Sequence, residues 1–205
     1  GMHAAALVLL DRKRPDLAIQ FIREMLRQSP QNAAARRLLG LALADIGAAQ
    51  AAVDELYGLL TDGGAPPHME MPLLAEINDI ATLACRTLDT LSVDPRLLTR
   101  NTYVRLRAVL SWSTAGTKFE FHTPGRVRRA TDDSPLDLVL KDEPSGSSRI
   151  EAVFAEDTRL NRNTPVVVRG DVYIYREGVP HLLRTFVTTV NHTSEVVKFG
   201  EFYIE

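Results

Sequence analysis

The sequence predicts an α+β protein of two domains, in which a short stack of helical hairpins is followed by an antiparallel β-sandwich. Three observations support this prediction. A helical pattern recurs after 34 residues near the start of the 205-residue chain. Beyond residue 100 the spacing of apolar residues changes to a period of two. Turn-forming residues then separate about eight short apolar runs, and none of the intervening segments resembles a crossover helix. The predicted domains are residues 2–98 and residues 101–205.

The helical period is defined by residues that occupy equivalent positions in two copies of one pattern. Ala52 lies 34 positions after Ala18, and Leu56 lies 34 positions after Ile22. The small side chains of Ala18 and Ala52 allow helix axes to approach closely, while larger aliphatic residues fill the space between helices. Pro30, which polar residues follow, ends one helix and separates the copies. Each copy therefore predicts a helix–turn–helix unit.

A third amphipathic stretch follows the two copies and predicts a capping helix from Pro72 to Leu91. Its apolar residues recur at helical spacing and form one stripe: Leu73, Ile77, Ile80, Ala84, Leu88 and Leu91. Because a stable stack needs about three repeats, two hairpins alone would leave too much apolar surface exposed. The stripe supplies the missing contact surface. Cys85, beside the stripe, is expected to be a buried and unreactive thiol.

The period and the residue sizes at fixed positions resemble the tetratricopeptide repeat family over residues 2–64. Small residues that this family places near helix crossings are present here: Ala18, Gly40, Gly47 and Ala52. The chain departs from the family pattern at Lys13, where glycine is usual, and at Gly64, where a second proline is usual. The resemblance implies a concave groove that binds a peptide or a protein segment.

The second half of the chain predicts an antiparallel sandwich of short strands. The first strand ends at Trp112, and its apolar residues alternate with polar ones from Val104 onward. Further predicted strands are Lys118–His122, Leu136–Leu140, Ile150–Phe154, Val166–Arg169, Val172–Tyr175, Leu182–Val190 and Val196–Ile204. The basic cluster at residues 126–129 is interpreted as a locally balanced charge run, because acidic residues follow it directly.

Two end segments of this half resemble the C-terminal domain of YfaP-like bacterial proteins, a family without an assigned biochemical activity. One is the opening strand Leu106–Trp112, and the other is the closing stretch Ser194–Phe202. Domains of that family carry an acidic Asp-x-Asp segment after the tryptophan. Lys118–His122 stands in that place here, so the resemblance implies the fold but does not support a cation role.

Composition excludes several classes of partner. A formal net charge of −2 gives no bulk attraction to nucleic acid or to an anionic membrane. No apolar run approaches the roughly 20 residues that a helix needs to span a bilayer. The segment Ala4–Leu10 is apolar but lacks the flanks of a secretory signal. These features favour a cytoplasmic location; the alternative is a periplasmic or secreted one, if a signal peptide has been trimmed from the chain. With a single cysteine the chain forms no internal disulfide.

No catalytic or cofactor-binding motif is present, so the sequence predicts a non-enzymatic protein without a cofactor. The five histidines have no ligand spacing relative to one another or to Cys85. Asp132, Asp133 and Asp137 form the best acidic cluster, and their oxygens are of the type that binds calcium. Their spacing misses the calcium-loop pattern, which favours a hydrated loop.

Three aromatic residues are candidates for a platform that binds a sugar ligand: Trp112, Tyr173 and Tyr175. Trp112 continues the apolar face of its strand, and this position favours core packing. Tyr173 and Tyr175 share one face of their strand, opposite Val172 and Ile174, and the pattern leaves open which face is exposed to water. An exposed pair would favour binding of a carbohydrate or another small ligand.

The favoured hypothesis is an adaptor that binds a protein or peptide in the groove of the helical domain, with the sandwich as a second module. Arg36, Arg37 and Asp45 are the predicted polar contacts of the groove. Because two repeats make a small groove, a homo-oligomer would extend it or would use the helical domain as its dimer surface. The alternative is a ligand-binding sandwich supported by the helices. An enzyme would require two or more of these residues in one cleft: Glu120, His122, Asp132 and Asp137.

Overall fold

The computed structural model describes residues 1–84, 93–98, 102–124, 126–129, 134–141 and 146–204. The chain divides into two compact units, Gly1–Asn101 and Thr102–Glu205. Among the residues that the structure describes, the first contains five α-helices, and the second contains two antiparallel sheets. This arrangement confirms the predicted α+β class. Of the described helices, none has a stretch long and apolar enough to cross a membrane.

The helices of the first unit contact one another in chain order. Their bounds are α1 Met2–Asp11, α2 Pro15–Gln28, α3 Ala33–Asp45, α4 Ala49–Thr61 and α5 Pro67–Leu83. Each helix contacts the next one, and α1 also contacts α3. Local sequence sets the ends of these helices. Pro15 occupies the first turn of α2, where no helical amide bond is lost. Asn32 caps α3, since its Oδ1 accepts a hydrogen bond of 3.0 Å from the Ala35 amide.

Close packing between α3 and α4 depends on small residues at the positions where the helices meet, such as Gly40. A Cβ atom added to Gly40 would lie 2.6 Å from Cγ and Cδ2 of Leu56. Ala18 and Ala52 are fully buried together with Ile22. The small side chains therefore bring the helix axes together, and the larger ones fill the space between them.

The last helix begins earlier than predicted. α5 starts at Pro67 and contains Pro72 in its interior, so the predicted start at Pro72 is wrong. The residue before a proline is restricted to extended backbone, and Pro66 has φ −64° and ψ 151°. Pro67 then occupies the first helical position, where its missing amide proton costs nothing. The predicted residues Cys85, Leu88 and Leu91 lie outside the described part of the chain.

One apolar cluster joins α4, α5 and the following segment. Its buried members are Val53, Leu56, Leu59, Met69, Leu73, Ile77 and Val93. The side-chain amide of Asn78 adds a polar tie, because it donates to the carbonyl of Leu97 at 3.1 Å. The stripe of α5 therefore covers the second hairpin, as a capping helix would.

The second unit is a sandwich of two four-stranded sheets within the described residues. Its strands are β1 Leu106–Trp112, β2 Thr117–Thr123, β3 Arg126–Arg129, β4 Leu136–Leu140, β5 Gly146–Asp157, β6 Val166–Arg176, β7 Val179–Val190 and β8 Val196–Ile204. The first sheet has the order β4-β1-β6-β7, and the second sheet has the order β3-β2-β5-β8. All the pairings are antiparallel.

Apart from shifts of strand ends, two details of the predicted strands differ from the structure. Val166–Arg169 and Val172–Tyr175 belong to one strand, because β6 continues through Gly170 and Asp171. The basic cluster at residues 126–129, which was interpreted as a charge run, is the short strand β3 and pairs with β2. Pairing with a neighbouring strand overrides the weak local preference of both segments.

Aromatic side chains from both sheets fill the core of the sandwich. Trp112 of β1 is 1% exposed, and its ring centroid lies 4.9 Å from that of Phe119 on β2. At the other end of the core, Phe186 of β7 meets Phe199 of β8 with centroids 5.1 Å apart. Trp112 is therefore a core residue, as its strand pattern predicts.

Arg184 lies at the open side of the sandwich, where β7 and β8 are the edge strands of their sheets. Its Nη1 donates to the Phe199 carbonyl at 2.8 Å, and its guanidinium carbon lies 5.2 Å from the centre of the Phe186 ring. This contact joins the two edge strands at the rim of the core. Arg184 closes the rim of the core at this point.

Candidate functional site

The predicted groove residues have different environments on α3. Arg36 is partly buried and pairs with Glu55 of α4 at 2.8 Å. Asp45 is exposed on the last turn of the helix. Arg37 is only 3% exposed, and its Nε lies 3.0 Å from each carboxylate oxygen of Glu76 on α5. A groove contact requires an accessible guanidinium, and the structure buries that of Arg37 against Glu76 instead.

A polar row crosses the first helix of each pair. His3 on α1, Arg37 on α3 and Glu76 on α5 form this row. Glu76 is 5% exposed, so both charges of the ion pair are removed from water. Burial lowers the pKa of the His3 imidazole to about 4, and the positive charge of Arg37 is the next largest cause. The Arg37–Glu76 pair joins α3 to α5, and its charges are too deeply buried to be contacted by a ligand.

The lowered pKa of His3 predicts a loss of stability in mild acid. His3 binds its proton less readily in the folded chain than in the unfolded chain, whose histidine pKa is near 6.5. Its contribution is therefore complete above pH 6.5 and is lost as the pH falls towards 4. Denaturant titrations from pH 7 to pH 4 should show a steeper fall in unfolding free energy for the wild type than for His3→Gln. His181→Gln, which removes an exposed histidine, should keep the wild-type slope; equal slopes in all three proteins would contradict the prediction.

Large apolar side chains are exposed on the helical unit. Met71 and Leu83, both on α5, are 72% and 65% exposed. Phe21, Ile46 and Val8 are also exposed, on α2, after α3 and on α1. Because Met71 and Leu83 are separated by twelve positions, about 18 Å of helix separates them. These side chains give the unit accessible apolar contacts that the polar row does not supply.

The two tyrosines do not form an exposed strip. Tyr175 is 4% exposed, whereas Tyr173 is half-buried. Tyr173 lies opposite Arg107 of β1 and Leu182 of β7, on the face of the first sheet that points away from the sandwich core. A stacking platform needs open ring faces, and the buried ring of Tyr175 does not provide one.

The acidic residues and histidines that would indicate an enzyme lie in different places. Asp132 and Asp133 fall outside the described residues. Asp137 of β4 accepts hydrogen bonds of 3.0 and 3.1 Å from Arg107. Glu120 and His122 of β2 approach each other to 3.4 Å, but they belong to the second sheet. Over the described ranges, no group of three or more His, Cys, Asp or Glu side chains is arranged to hold a metal ion.

Buried charges on the first sheet were missed by the sequence analysis. Arg107 is 1% exposed beside Asp137, and Arg169 donates to Asp171 at 2.9 Å with both side chains buried. The available signal was the alternation of these residues with valine and leucine, which places them on one face of their strands. Charged residues usually lie on a solvent-exposed face, so the sequence offered no reason to expect these two ion pairs to be buried.

One shallow cleft of about 200 Å³ lies on the second sheet. Its lining comes from two neighbouring strands: Arg149, Ile150, Glu151, Lys198, Gly200 and Glu201. The cleft coincides with a bulge, because Phe199 is an extra residue between the pairs Glu151–Lys198 and Ile150–Gly200. Its charges are balanced, and Arg149 already pairs with Glu151. The cleft is smaller than the 300–1,000 Å³ of ordinary small-molecule sites.

The comparisons with known proteins add no assignment to these sites. No family model matches the sequence, and no curated protein or solved structure is significantly similar to it. The candidate sites therefore rest on the geometry of this chain.

Proposed function

We propose that the protein is a non-enzymatic adaptor that binds a protein or peptide segment through its helical unit, with the sandwich as a second module. The packing of five helices in chain order carries this proposal. Repeat proteins with such packing expose a continuous surface along the stack, and they use that surface to bind other proteins. The tetratricopeptide resemblance agrees with this function.

The accessible contacts of the proposed surface are apolar. Arg37 and Glu76 neutralise each other inside the unit, so the polar row fixes the helices and leaves recognition to exposed side chains. Met71 and Leu83 expose more than half of their surfaces on the last helix. A methionine suits this role because its flexible, polarisable side chain adapts to different apolar partners.

Site-specific photo-crosslinking tests the proposal in the full chain. A photo-reactive residue at Leu83 should capture a defined set of proteins in a lysate of the source cells. The matched control position is Leu160, which is fully exposed in a turn of the sandwich. We expect the captured set to be specific to Leu83. Equal capture from both positions, or capture from Leu160 alone, would remove the support for binding through the helices.

Met71→Glu should reduce the crosslinking yield from position 83 by about tenfold, because a charge replaces an exposed apolar contact. The melting temperature should stay within error of the wild type, since Met71 is 72% exposed. Leu160→Glu introduces the same charge on the sandwich and should leave the yield unchanged. An unchanged yield with Met71→Glu would show that α5 is outside the binding surface.

The second candidate function is the binding of a small polar ligand by the sandwich. The cleft beside the β8 bulge, rather than the two tyrosines, is the feature that favours it. Its small volume and internally paired charges place this function second.

A further inference from the structure

The outer edge of β8 is a long strand edge with accessible side chains. Within the described residues, β8 pairs with β5 on one side and with no strand on the other. Val196 and Tyr203 are 46% and 68% exposed, and Lys198 and Glu201 are also exposed. Unpaired backbone groups on such an edge are a template for another strand.

The ladder with β5 determines which backbone groups of β8 point outward. Phe154 of β5 bonds to residues 194 and 195, so alternate residues of β5 direct their amides and carbonyls to β8. Val197, Gly200 and Phe202 are the partners of these residues. The intervening residues therefore direct their groups outward: Val196, Lys198, Glu201 and Tyr203. Because Phe199 is an extra residue, the outward positions change from even to odd numbers at the bulge.

This change of phase makes one pairing of β8 with itself better than any other. When two copies run antiparallel with Lys198 opposite Glu201 of the second copy, Val196 also lies opposite Tyr203 of the second copy. Every outward residue then faces an outward residue, and about eight interchain backbone hydrogen bonds result. Registers shifted by two residues in either direction leave at least half of these groups without a partner.

Side-chain chemistry selects the same register. The four residues share the face of the second sheet that points away from the core, since their β5 partners Arg149 and Glu151 lie on that face. In this register Lys198 of each copy faces Glu201 of the other, so two pairs of opposite charges form. Val196 of each copy likewise faces the ring of Tyr203 of the other. The Phe199 carbonyl, which Arg184 occupies, is not needed for this ladder.

We propose that two copies of this chain form a symmetric dimer through antiparallel pairing of β8, which joins their second sheets into one continuous sheet. The charge pattern argues for a second copy as the occupant of this edge, because the strand is complementary to itself in the register that its backbone requires. The proposal is independent of peptide binding by the helices.

Reversing the charge at one position at a time, either 198 or 201, tests the dimer. Lys198→Glu places carboxylates at positions 198 and 201, and Glu201→Lys places ammonium groups at both. Either variant alone should weaken the dimer about 100-fold, or roughly tenfold for each of two symmetry-related pairs. An equimolar mixture of the two variants restores opposite charges at both pairs and should dimerise like the wild type. Sedimentation velocity across a concentration series measures the dissociation constants.

The mixture distinguishes a lost contact between chains from a structural change within one chain. Each variant keeps its intrachain changes in the mixture, so only a contact between chains can be restored by mixing. Lys141→Glu, an exposed reversal of the same charge next to β4, is the matched control and should dimerise normally. A monomeric wild type, single variants that dimerise normally, or a mixture that stays monomeric would each overturn the proposal. If the chain dimerised through another surface, the single variants would dimerise normally.

Disulfide trapping tests the register. In a Cys85→Ser background, Val196→Cys combined with Tyr203→Cys should form interchain disulfides on mild oxidation, because directly opposite Cα atoms in a hydrogen-bonded pair are about 5.5 Å apart. Tyr203→Cys alone should remain uncrosslinked, since its counterpart in the second copy lies about seven positions away along the ladder. Equal crosslinking of the single and double variants would overturn the proposed register.

Discussion

Replacing Gly170 with alanine is expected to lower the free energy of unfolding of the sandwich by about 3 kcal/mol, the upper part of the range for overpacking. Gly170 of β6 lies opposite Phe186 of β7, whose ring packs over the glycine. An added Cβ would be 2.3 Å from Cζ of Phe186 and 2.9 Å from Cε1 of Phe199. Phe199 is fully buried and Phe186 is partly buried against the same core, so moving either ring away would cost packing contacts.

A double variant identifies the cause of this loss. Phe186→Ala should destabilise the sandwich by itself, but Gly170→Ala should cost much less in that background because the ring is gone. Trp112, the single tryptophan of the chain, reports on this unit in denaturant titrations. Gly58→Ala on α4 is the control, since the nearest atom to its added Cβ is the side-chain Nη2 of Arg36 at 3.3 Å. Far-ultraviolet circular dichroism follows this variant, because Trp112 belongs to the other unit. Additive losses for Gly170→Ala and Phe186→Ala would contradict the steric explanation.

Removing the carboxylate of Glu76 is expected to be the most destabilising change in the helical unit. Glu76→Ala removes this carboxylate from the buried guanidinium of Arg37, and breaking a buried ion pair costs about 3–5 kcal/mol. Arg37 and Glu76 are 3% and 5% exposed, so water cannot replace the lost hydrogen bonds without opening the helices. Unfolding followed by far-ultraviolet circular dichroism, which is dominated by the helices, measures the loss.

Two controls define the contribution of burial. Arg37→Met combined with Glu76→Leu removes both charges and keeps the volume, and it should restore most of the lost stability. Glu55→Ala breaks the more exposed pair with Arg36 and should cost less than about 1 kcal/mol. If Glu55→Ala and Glu76→Ala cost the same, burial of the second pair would not explain its effect.

The order of helices and strands was predictable because periodicity depends on residues that are close in sequence. Repeated small and large residues, such as Ala18 and Ala52, mark the faces on which helices meet. Alternation around Trp112 marks the inner face of a strand in the same way. These patterns are local, and they require no knowledge of the neighbouring element.

Features that depend on a distant partner could not be predicted in this way. Arg37 is indistinguishable in sequence from a solvated helix residue, and only the contact with Glu76, 39 positions later, makes it a buried one. Gly170 interrupted the apolar run of β6 and suggested two strands, because the ring of Phe186 that fills its place is on another strand. The short strand at residues 126–129 has a similar origin in its pairing with β2.

The candidate sites were predictable to a smaller extent than the fold. Asp45 is exposed as a groove contact requires, whereas Arg37 and Tyr175 are buried by the packing of other elements. Met71 and Leu83 gave no signal, because one exposed apolar residue on a helix resembles a core residue until the helix is packed. The phase change in β8 also requires knowledge of its register with β5.

The position of Arg184 has a consequence for the time course of synthesis. Its donor group lies on β7, but the carbonyl that it closes belongs to Phe199 on β8, a strand that leaves the ribosome later. Until that strand docks, the core around Phe186 remains uncovered on one side, and the guanidinium of Arg184 is hydrogen-bonded to water instead of to the Phe199 carbonyl. Until β8 has docked, a nascent chain of this protein therefore exposes apolar core surface beside Phe186, and transient exposure of that kind favours misassembly.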